Sequence, residues 1–315
     1  MADATTPAAA PELSALITCY FEEKTIEEFH ARLSSALERS GRSYEIIFVN
    51  DGSTDRTFEK LEAIFAADNR VSAVLDLFRN AGQPAAVTAA IGEARGRVML
   101  SMDSDLQLAP EDLPLLLQEY DKGYDVVSGY REHRKDSLFR TLPSLIANII
   151  MRKASGTQLS DFGCTFKLYN AKLIRAFDFG PQTIFNPVTV IAKAQRCMEV
   201  PVSHAPRKHG KSGWTFKKLW NYQMDQIVVL TDKPFQYLAL LAIVFAMLFL
   251  GRVLLDYITP FSILDRVTNG LLLNVLVIVF LVLLGGISLV GEFTIRSFIL
   301  TRQAPKYIVR EILKR

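Results

Sequence analysis

Residues Arg97 to Gln107 read Arg-Val-Met-Leu-Ser-Met-Asp-Ser-Asp-Leu-Gln. An apolar run, Arg97–Met102, breaks abruptly into Asp103-Ser104-Asp105. The run has the length and composition of a buried strand. In extended backbone residues i and i+2 point to one face, so Asp103 and Asp105 converge where the strand ends. Two carboxylates so placed repel unless a cation or a proton lies between them. A hard divalent ion held by one or two carboxylates together with substrate phosphates is the common solution. Such triplets are frequent, however, and taken alone this one is also an ordinary acidic turn ahead of the helix start at Pro110.

The flanking sequence repeats the pattern. Leu13–Cys19, Tyr44–Asn50, Val71–Leu77 and Asp125–Ser128 are short apolar or β-branched runs. Between them Ile26–Ser40, Thr57–Ala67, Ala85–Arg95 and Glu111–Lys122 carry helical patterns. Tyr44–Asn50 (YEIIFVN) is almost continuously apolar, as a strand covered on both faces should be. The alternation of strand and helix predicts an α/β fold, a mostly parallel Rossmann-like sheet with helices on both faces. No internal repeat is present.

Polar residues cluster where these strands end. Tyr20 and Glu22 follow the first and Asn50-Asp51-Gly52-Ser53-Thr54-Asp55 the second. Arg79-Asn80-Ala81-Gly82-Gln83 follows the third. Asn50–Asp55 is a tight turn with a helix cap. It also sets Asp51 at the carboxyl end of a strand, where open α/β sheets bind ligands and a carboxylate can accept hydrogen bonds from a base or ribose.

Bulk properties narrow the class. The chain has 315 residues, half of them hydrophobic, and a formal net charge of +3, too small to suggest a nucleic-acid partner. Five basic residues and no acid lie between Arg207 and Lys218. Six lie between Arg131 and Lys153 against Glu132 and Asp136. Such clusters are usually solvated faces, but beside apolar segments they favour phosphates or anionic lipid. Cys19, Cys164 and Cys197 lack metal-type spacing and suit a reducing compartment. Residues 1–12 read as a disordered tail, without the basic start and apolar core of a signal peptide.

The apolar surplus lies beyond Pro234. Two stretches, about 235–258 and 271–295, approach the roughly 20 apolar residues that a membrane span needs. Leu138–Lys153 and Thr215–Leu230 read either as core helices or as helices lying in the membrane interface, the second with Trp214 and Trp220 as anchors. The loop between the spans carries one basic residue, Arg266, whereas Lys217, Lys218 and Lys233 precede them and Arg296, Arg302, Lys306, Arg310, Lys314 and Arg315 follow. The positive-inside rule then predicts cytoplasmic termini and a cytoplasmic catalytic domain. The expected organisation is a catalytic domain over 13–212, a juxtamembrane segment over 213–233, two spans within 234–300, and a basic tail over 301–315.

Together these strand-end motifs resemble those of the family 2 glycosyltransferases of GT-A fold: Tyr and Glu after the first strand, (N/D)DGS(T/S)D, N-x-G-(Q/H) and D-x-D-L-Q. Gly129-Tyr130-Arg131, Ser160-Asp161-Phe162-Gly163-Cys164, Arg207-Lys208-His209-Gly210-Lys211-Ser212 and the closing Ala304-Pro305-Lys306-Tyr307 look like the polyprenyl-phosphate branch. Within it the resemblance is nearest to the undecaprenyl-phosphate 4-deoxy-4-formamido-L-arabinose transferases, from about Leu13 to Leu313. It implies a UDP-sugar donor, Mg2+ or Mn2+, a polyisoprenyl phosphate acceptor, inversion at the anomeric carbon and a homo-oligomer, a tetramer by likeness. By position, Tyr20, Glu22 and Asp51 would hold base and ribose, with Asn80, Gln83 and Gln107 in the same nucleotide-sugar site. Asp103 and Asp105 would hold metal and diphosphate. Arg131, Arg134, Ser137 and Arg207 would meet the acceptor phosphate. Asp161 matches the carboxylate often given the role of base. This chain has Thr18 and Phe21 where the family usually has Pro and Asn.

A phosphate monoester has a second pKa of about 6 and needs little deprotonation at neutral pH, so Asp161 has an alternative role in orienting an arginine, the metal or the sugar. Cys164 is read as packing. A sugar other than the formamido-arabinose (glucose, an N-acetylhexosamine or a hexuronic acid) is one alternative, and a membrane nucleotide-sugar-binding protein without turnover is another. A processive polysaccharide synthase is disfavoured, because the chain lacks both Q-x-x-R-W and further spans.

Overall fold

The computed structural model describes residues 10–131, 152, 156, 157, 159–205, 244, 247, 265–301 and 304–315. Four strands, β1 (Leu13–Cys19), β2 (Tyr44–Asn50), β3 (Val71–Leu77) and β4 (Val98–Asp103), run parallel in the order β4-β1-β2-β3. All residues of β1 and β3 are buried, and so are all but the first of β2 and the last of β4. Strands covered on both faces cannot show the in-out alternation of a half-exposed sheet, and their near-continuous apolar sequences reflect this.

The two covering layers have different sequence logic. On one face α1 (Ile26–Arg39) turns Ile26, Phe29, Leu33 and Leu37 inward, joined by Leu61 of α2 (Thr57–Ala67) and by Leu113 and Leu116 of α4 (Leu113–Tyr120). On the other, α3 (Gln83–Glu93) packs through Ala86, Val87, Ala89 and Ala90, small residues that let a helix sit close to the sheet. It is joined there by Ile174 of α5 (Ala171–Arg175) and Val188 of α6 (Pro187–Ile191). The third helix starts two residues earlier than its alanine run suggests. Gly82, at φ 92°, turns the chain, and Pro84 occupies the first turn, where no N–H is required.

Three strands escape the sequence reading. β6 (Lys167–Asn170) inserts antiparallel between β4 and β5 (Val126–Arg131), and β7 (Cys197–Val202) runs parallel on the far side of β5. β8 (Val309–Lys314) adds antiparallel to the outer edge of β3, so the sheet order is β7-β5-β6-β4-β1-β2-β3-β8. Residues 304–315, within the segment read from sequence as a basic tail over 301–315, thus join the same unit as this sheet. Leu313 and Val309 pack inward and charged residues face out, which satisfies the exposed edge of β3.

The second unit is represented by α7, a helix over Asp265–Thr301 that contains the second expected span. Its segment Ile278–Ile295 is long and apolar enough to cross a membrane, and only 6% of that segment is buried. Ile287 is 70% exposed and Phe280 63%. Apart from Arg152, Val244 and Met247, the segments 138–153 and 213–233 and the first expected span lie outside the described residues.

Candidate active site

Because β1 to β4 are parallel, their carboxyl ends share one edge, and the register sets Thr18 beside Asp103 and Cys19 beside Asn50. Thr18 Oγ1 donates to Asp103 Oδ1 at 2.6 Å, a bond that proline at this position could not make. Ser104 is buried and returns the chain to β1, its N and Oγ donating to Thr18 O at 3.2 and 3.0 Å. Leu106 then adopts the left-handed region at φ 58°, which costs a branched residue about 1–2 kcal/mol. Its side chain, 4% exposed, is anchored in the core, so packing offsets that cost. The turn leaves Asp103 and Asp105 half-buried at the edge, with Gln107 N donating to Asp105 Oδ1 at 3.1 Å.

This pair fits a hard divalent ion that takes its remaining ligands from a diphosphate. Among the described residues no cluster of three or more metal-ligating side chains exists.

Asp51 is 3% exposed and gives shape to the neighbouring turn. Its Oδ1 accepts from Ala81 N at 2.7 Å, and its Oδ2 from Gly82 N at 3.0 Å and Asn80 Nδ2 at 2.8 Å. Gly52 follows at φ 65°, and a Cβ there would lie 2.3 Å from the backbone carbon of Arg79. The Asn50–Asp55 and Arg79–Gln83 turns are therefore one interlocked structure. The β1 end is tied to it: Phe21 N donates to Ser53 Oγ at 3.0 Å and Glu22 N to Thr57 Oγ1 at 2.9 Å. The Glu22 carboxylate accepts from Thr25 Oγ1. Tyr20 and Phe21 stand 42% and 49% exposed over this edge, their rings edge to face at 4.6 Å.

The second half of the site lies across β6. Arg131 ends β5, which runs in the same sense as β4 with β6 between them, so the two strand ends are separated by two strand spacings, about 10 Å. Arg131 Nε and Nη2 donate to Asp161 Oδ2 and Oδ1 at 2.7 and 2.9 Å. This is the planar two-point geometry that guanidinium and carboxylate favour. The loop that presents Asp161 is held from below. Glu199 of β7 accepts from Ser160 N and Asp161 N through Oε1, at 2.7 and 2.9 Å, and from Ser160 Oγ through Oε2 at 2.7 Å. Lys167 of β6, 2% exposed, donates to the carbonyls of Phe162 and Cys164. Burial pushes its ammonium pKa below the usual lysine range. Burial likewise pushes the Cys164 thiol up, and at 2% exposure the side chain packs in the core.

Tyr20, Glu22, Asp51, Asn80, Gln83, Asp103, Asp105 and Gln107 are thus gathered on one edge of the sheet, and Arg131 with Asp161 lies farther along the same edge. Arg134, Ser137 and Arg207 lie outside the described residues. Thr18, Lys167 and Glu199 were given no role from sequence. Lys167 and Glu199 sit in short runs, FKLY and CMEVPV, whose charges look solvated until the strand order is known.

A family model described as Glycosyl transferase family 2 matches residues 14–177. An undecaprenyl-phosphate 4-deoxy-4-formamido-L-arabinose transferase of Edwardsiella ictaluri (strain 93-146) is 35% identical, over 96% of this chain and 94% of that protein. The protein of the same name from Pseudomonas paraeruginosa (strain DSM 24068 / PA7) is 32% identical, over 96% of this chain and 90% of its own length. Among solved structures, glucosyl-3-phosphoglycerate synthase from Mycobacterium tuberculosis in complex with Mn2+, uridine-diphosphate-glucose and phosphoglyceric acid superposes with a TM-score of 0.50. At 18% identity, with 70% of this chain and 79% of that one covered, this likeness speaks to the fold. A match spanning just over half the chain, and relatives above 30% identity along almost all of it, place the protein in glycosyl transferase family 2, and it is a glycosyltransferase.

Proposed function

We propose that the enzyme transfers 4-deoxy-4-formamido-L-arabinose from its UDP-sugar to undecaprenyl phosphate at the cytoplasmic face of a bacterial inner membrane, for lipid A modification. The observation that carries this reading is the near full-length similarity to two proteins bearing that name. The site geometry is compatible with the donor and acceptor classes. One sheet edge holds two interlocked turns and a carboxylate pair, and an arginine fixed in a geometry suited to phosphate stands about two strand spacings away.

The chemistry is a single displacement. A phosphate oxygen of the lipid attacks the anomeric carbon, a new C–O bond forms, and the bond to the nucleotide diphosphate breaks with its electron pair leaving on that group. Configuration inverts. The attacking phosphate monoester is mostly dianionic at neutral pH, so no side chain has to remove a proton. Arg131, locked by Asp161, orients this phosphate and spreads its charge. Asp51 holds the two nucleotide turns together, and Tyr20 offers a ring face to the base. Asp103 and Asp105 would hold Mg2+ or Mn2+, which when bound supplies charge neutralisation of the leaving diphosphate. Arg207, Arg134 and Ser137 complete the phosphate contacts in this proposal. Helix α7, with Ile278–Ile295 apolar and exposed, anchors the enzyme beside its lipid substrate.

The test is a panel of nucleotide-sugars offered to the full-length enzyme in nanodiscs with undecaprenyl phosphate, followed by mass spectrometry of the lipid fraction. A product with the mass of the formamido-pentosyl lipid is expected. A lipid carrying glucose, an N-acetylhexosamine or a hexuronic acid would reassign the sugar. Hydrolysis of the donor without any lipid product would overturn the acceptor.

A further inference from the structure

The strand that sequence reading takes for a tail reaches into the nucleotide edge. β8 pairs Glu311 with Asp76 and Val309 with Leu77, so the register skips Arg310. An extra residue of this kind bends the strand and re-aims its side chain, a device frequent beside active sites. Here the guanidinium of Arg310 turns toward the end of β3. Its Nη1 lies 3.2 Å from Asp76 Oδ2, its Nη2 donates to Phe78 O at 2.9 Å, and its Cζ lies 5.3 Å from the Phe78 ring centre.

Asp76 passes this contact inward. Its carboxylate is 3% exposed and would be costly to bury without partners. While Oδ2 faces Arg310, Oδ1 accepts from Nδ2 of the fully buried Asn50 at 2.7 Å. Asn50 Oδ1 in turn accepts from Ser53 N at 3.3 Å, and Ser53 Oγ from Phe21 N at 3.0 Å. A continuous polar path thus runs from β8 to the Asn50–Asp55 turn and on to the end of β1. Beside it lies an open groove of about 470 Å3, lined by Gly52, Ser53, Phe58, Asp76, Phe78 and Arg310 among others.

We infer that Arg310 is a positioning residue for the nucleotide: acting through Asp76 and Asn50, it holds the Asn50–Asp55 turn in its binding shape. The C-terminal strand is then part of the donor site, and donor affinity depends on a residue about 255 positions away from the turn it serves. This inference rests on the reading of that edge as the donor site.

Full-length Arg310→Ala, Arg310→Lys and Lys314→Ala proteins test it. Lys314 ties the far end of the same strand to Glu93 and has no link to the path. Hydrogen exchange at the 51–55 amides, measured without nucleotide, should quicken roughly tenfold in Arg310→Ala and stay at the wild-type rate in Lys314→Ala. UDP affinity should fall roughly tenfold in Arg310→Ala, with kcat and the lipid KM unchanged, and Arg310→Lys should recover part of it. Wild-type exchange in Arg310→Ala, or an equal effect from Lys314→Ala, would overturn the inference in favour of simple strand docking. Failure of the wild-type enzyme to bind UDP would overturn the donor reading. The exchange experiment, which needs no ligand, would still decide whether Arg310 orders the turn.

Discussion

Replacing Asp161 with Asn separates two roles for the same carboxylate. In the wild-type structure both Asp161 oxygens accept from the Arg131 guanidinium, at 2.7 and 2.9 Å, and the two side chains are only 11% and 16% exposed. The amide keeps the shape but sets an NH2 group against one of the guanidinium donors and removes the negative charge. The loss of one charge-assisted bond in a site this shielded is worth about 2–3 kcal/mol. If that energy goes into orienting Arg131 for the transition state, transfer should slow by roughly 30- to 150-fold at saturating donor. The pH profile discriminates. With Asp161 as an orienting group, the acid limb belongs to the second ionisation of the lipid phosphate, near 6, and must survive in Asp161→Asn. Initial rates of lipid glycosylation from about pH 5 to 8 would show a lowered curve of unchanged shape. Disappearance of the acid limb in the variant, or a rate within threefold of wild type, would refute the orienting role.

Three further outcomes follow from particular contacts. Asp105→Ala should abolish transfer while leaving the thermal midpoint near that of the wild type, and residual UDP binding should become indifferent to Mg2+ or Mn2+, checked by calorimetry with and without chelator. Phe21→Asn should raise stability by about 1 kcal/mol, seen as a higher thermal midpoint. Phe21 stands at φ 59°, a conformation costly for an aromatic residue and tolerated by Asn, and half its surface already faces solvent. A lower midpoint would mean that the ring packs in a way its exposure does not suggest. For Glu45, burial pushes the carboxyl pKa up. Hydrogen bonds from Ser14 Oγ and from the Arg95 backbone and guanidinium outweigh this and hold it below its ordinary value. A lowered native pKa stabilises the fold above the unfolded value and loses that contribution as pH falls through the native one. Glu45→Gln should therefore cost about 2 kcal/mol at neutral pH, with the gap to wild type closing in acid denaturation below about pH 4.

The parallel half of the fold was legible because burial on both faces writes itself into composition. β1, β2 and β3 have the bounds that their apolar runs suggest, and three of the intervening helices start or stop within two residues of their patterns. The exception at α4 is instructive. A helix expected from Glu111 to Lys122 is divided into a short 3-10 turn, Pro110–Asp112, and a helix that begins at Leu113. β6, β7 and β8 were not legible, since each is four to six residues long and carries lysine, glutamate or arginine at the positions that matter. A short strand with charged residues has no periodicity to detect, and its status depends on what the rest of the sheet leaves unpaired.

The site divides along the same line. Asp51, Asp103 and Asp105 could be found because they interrupt apolar strands at a fixed end, and local sequence is enough to see that. Lys167 and Glu199 act on the loop that presents Asp161, 3 to 39 residues away, and Arg310 acts across strands on a partner 232 residues away. Lys167 is opposite Ser101 of β4 on one side and Ser128 of β5 on the other, between the two strands whose ends carry the carboxylate pair and Arg131, and it is 2% exposed. Nothing in Phe166-Lys167-Leu168 announces an enclosed cation; the enclosure is created when β6 enters antiparallel between two parallel strands. A buried charge kept in such a place must be compensated, and here the loop carbonyls of Phe162 and Cys164 compensate it. The loop conformation that brings Asp161 to Arg131 is in this sense a consequence of sheet topology, with Lys167 and Glu199 as the groups that convert strand order into the geometry of the Arg131–Asp161 pair.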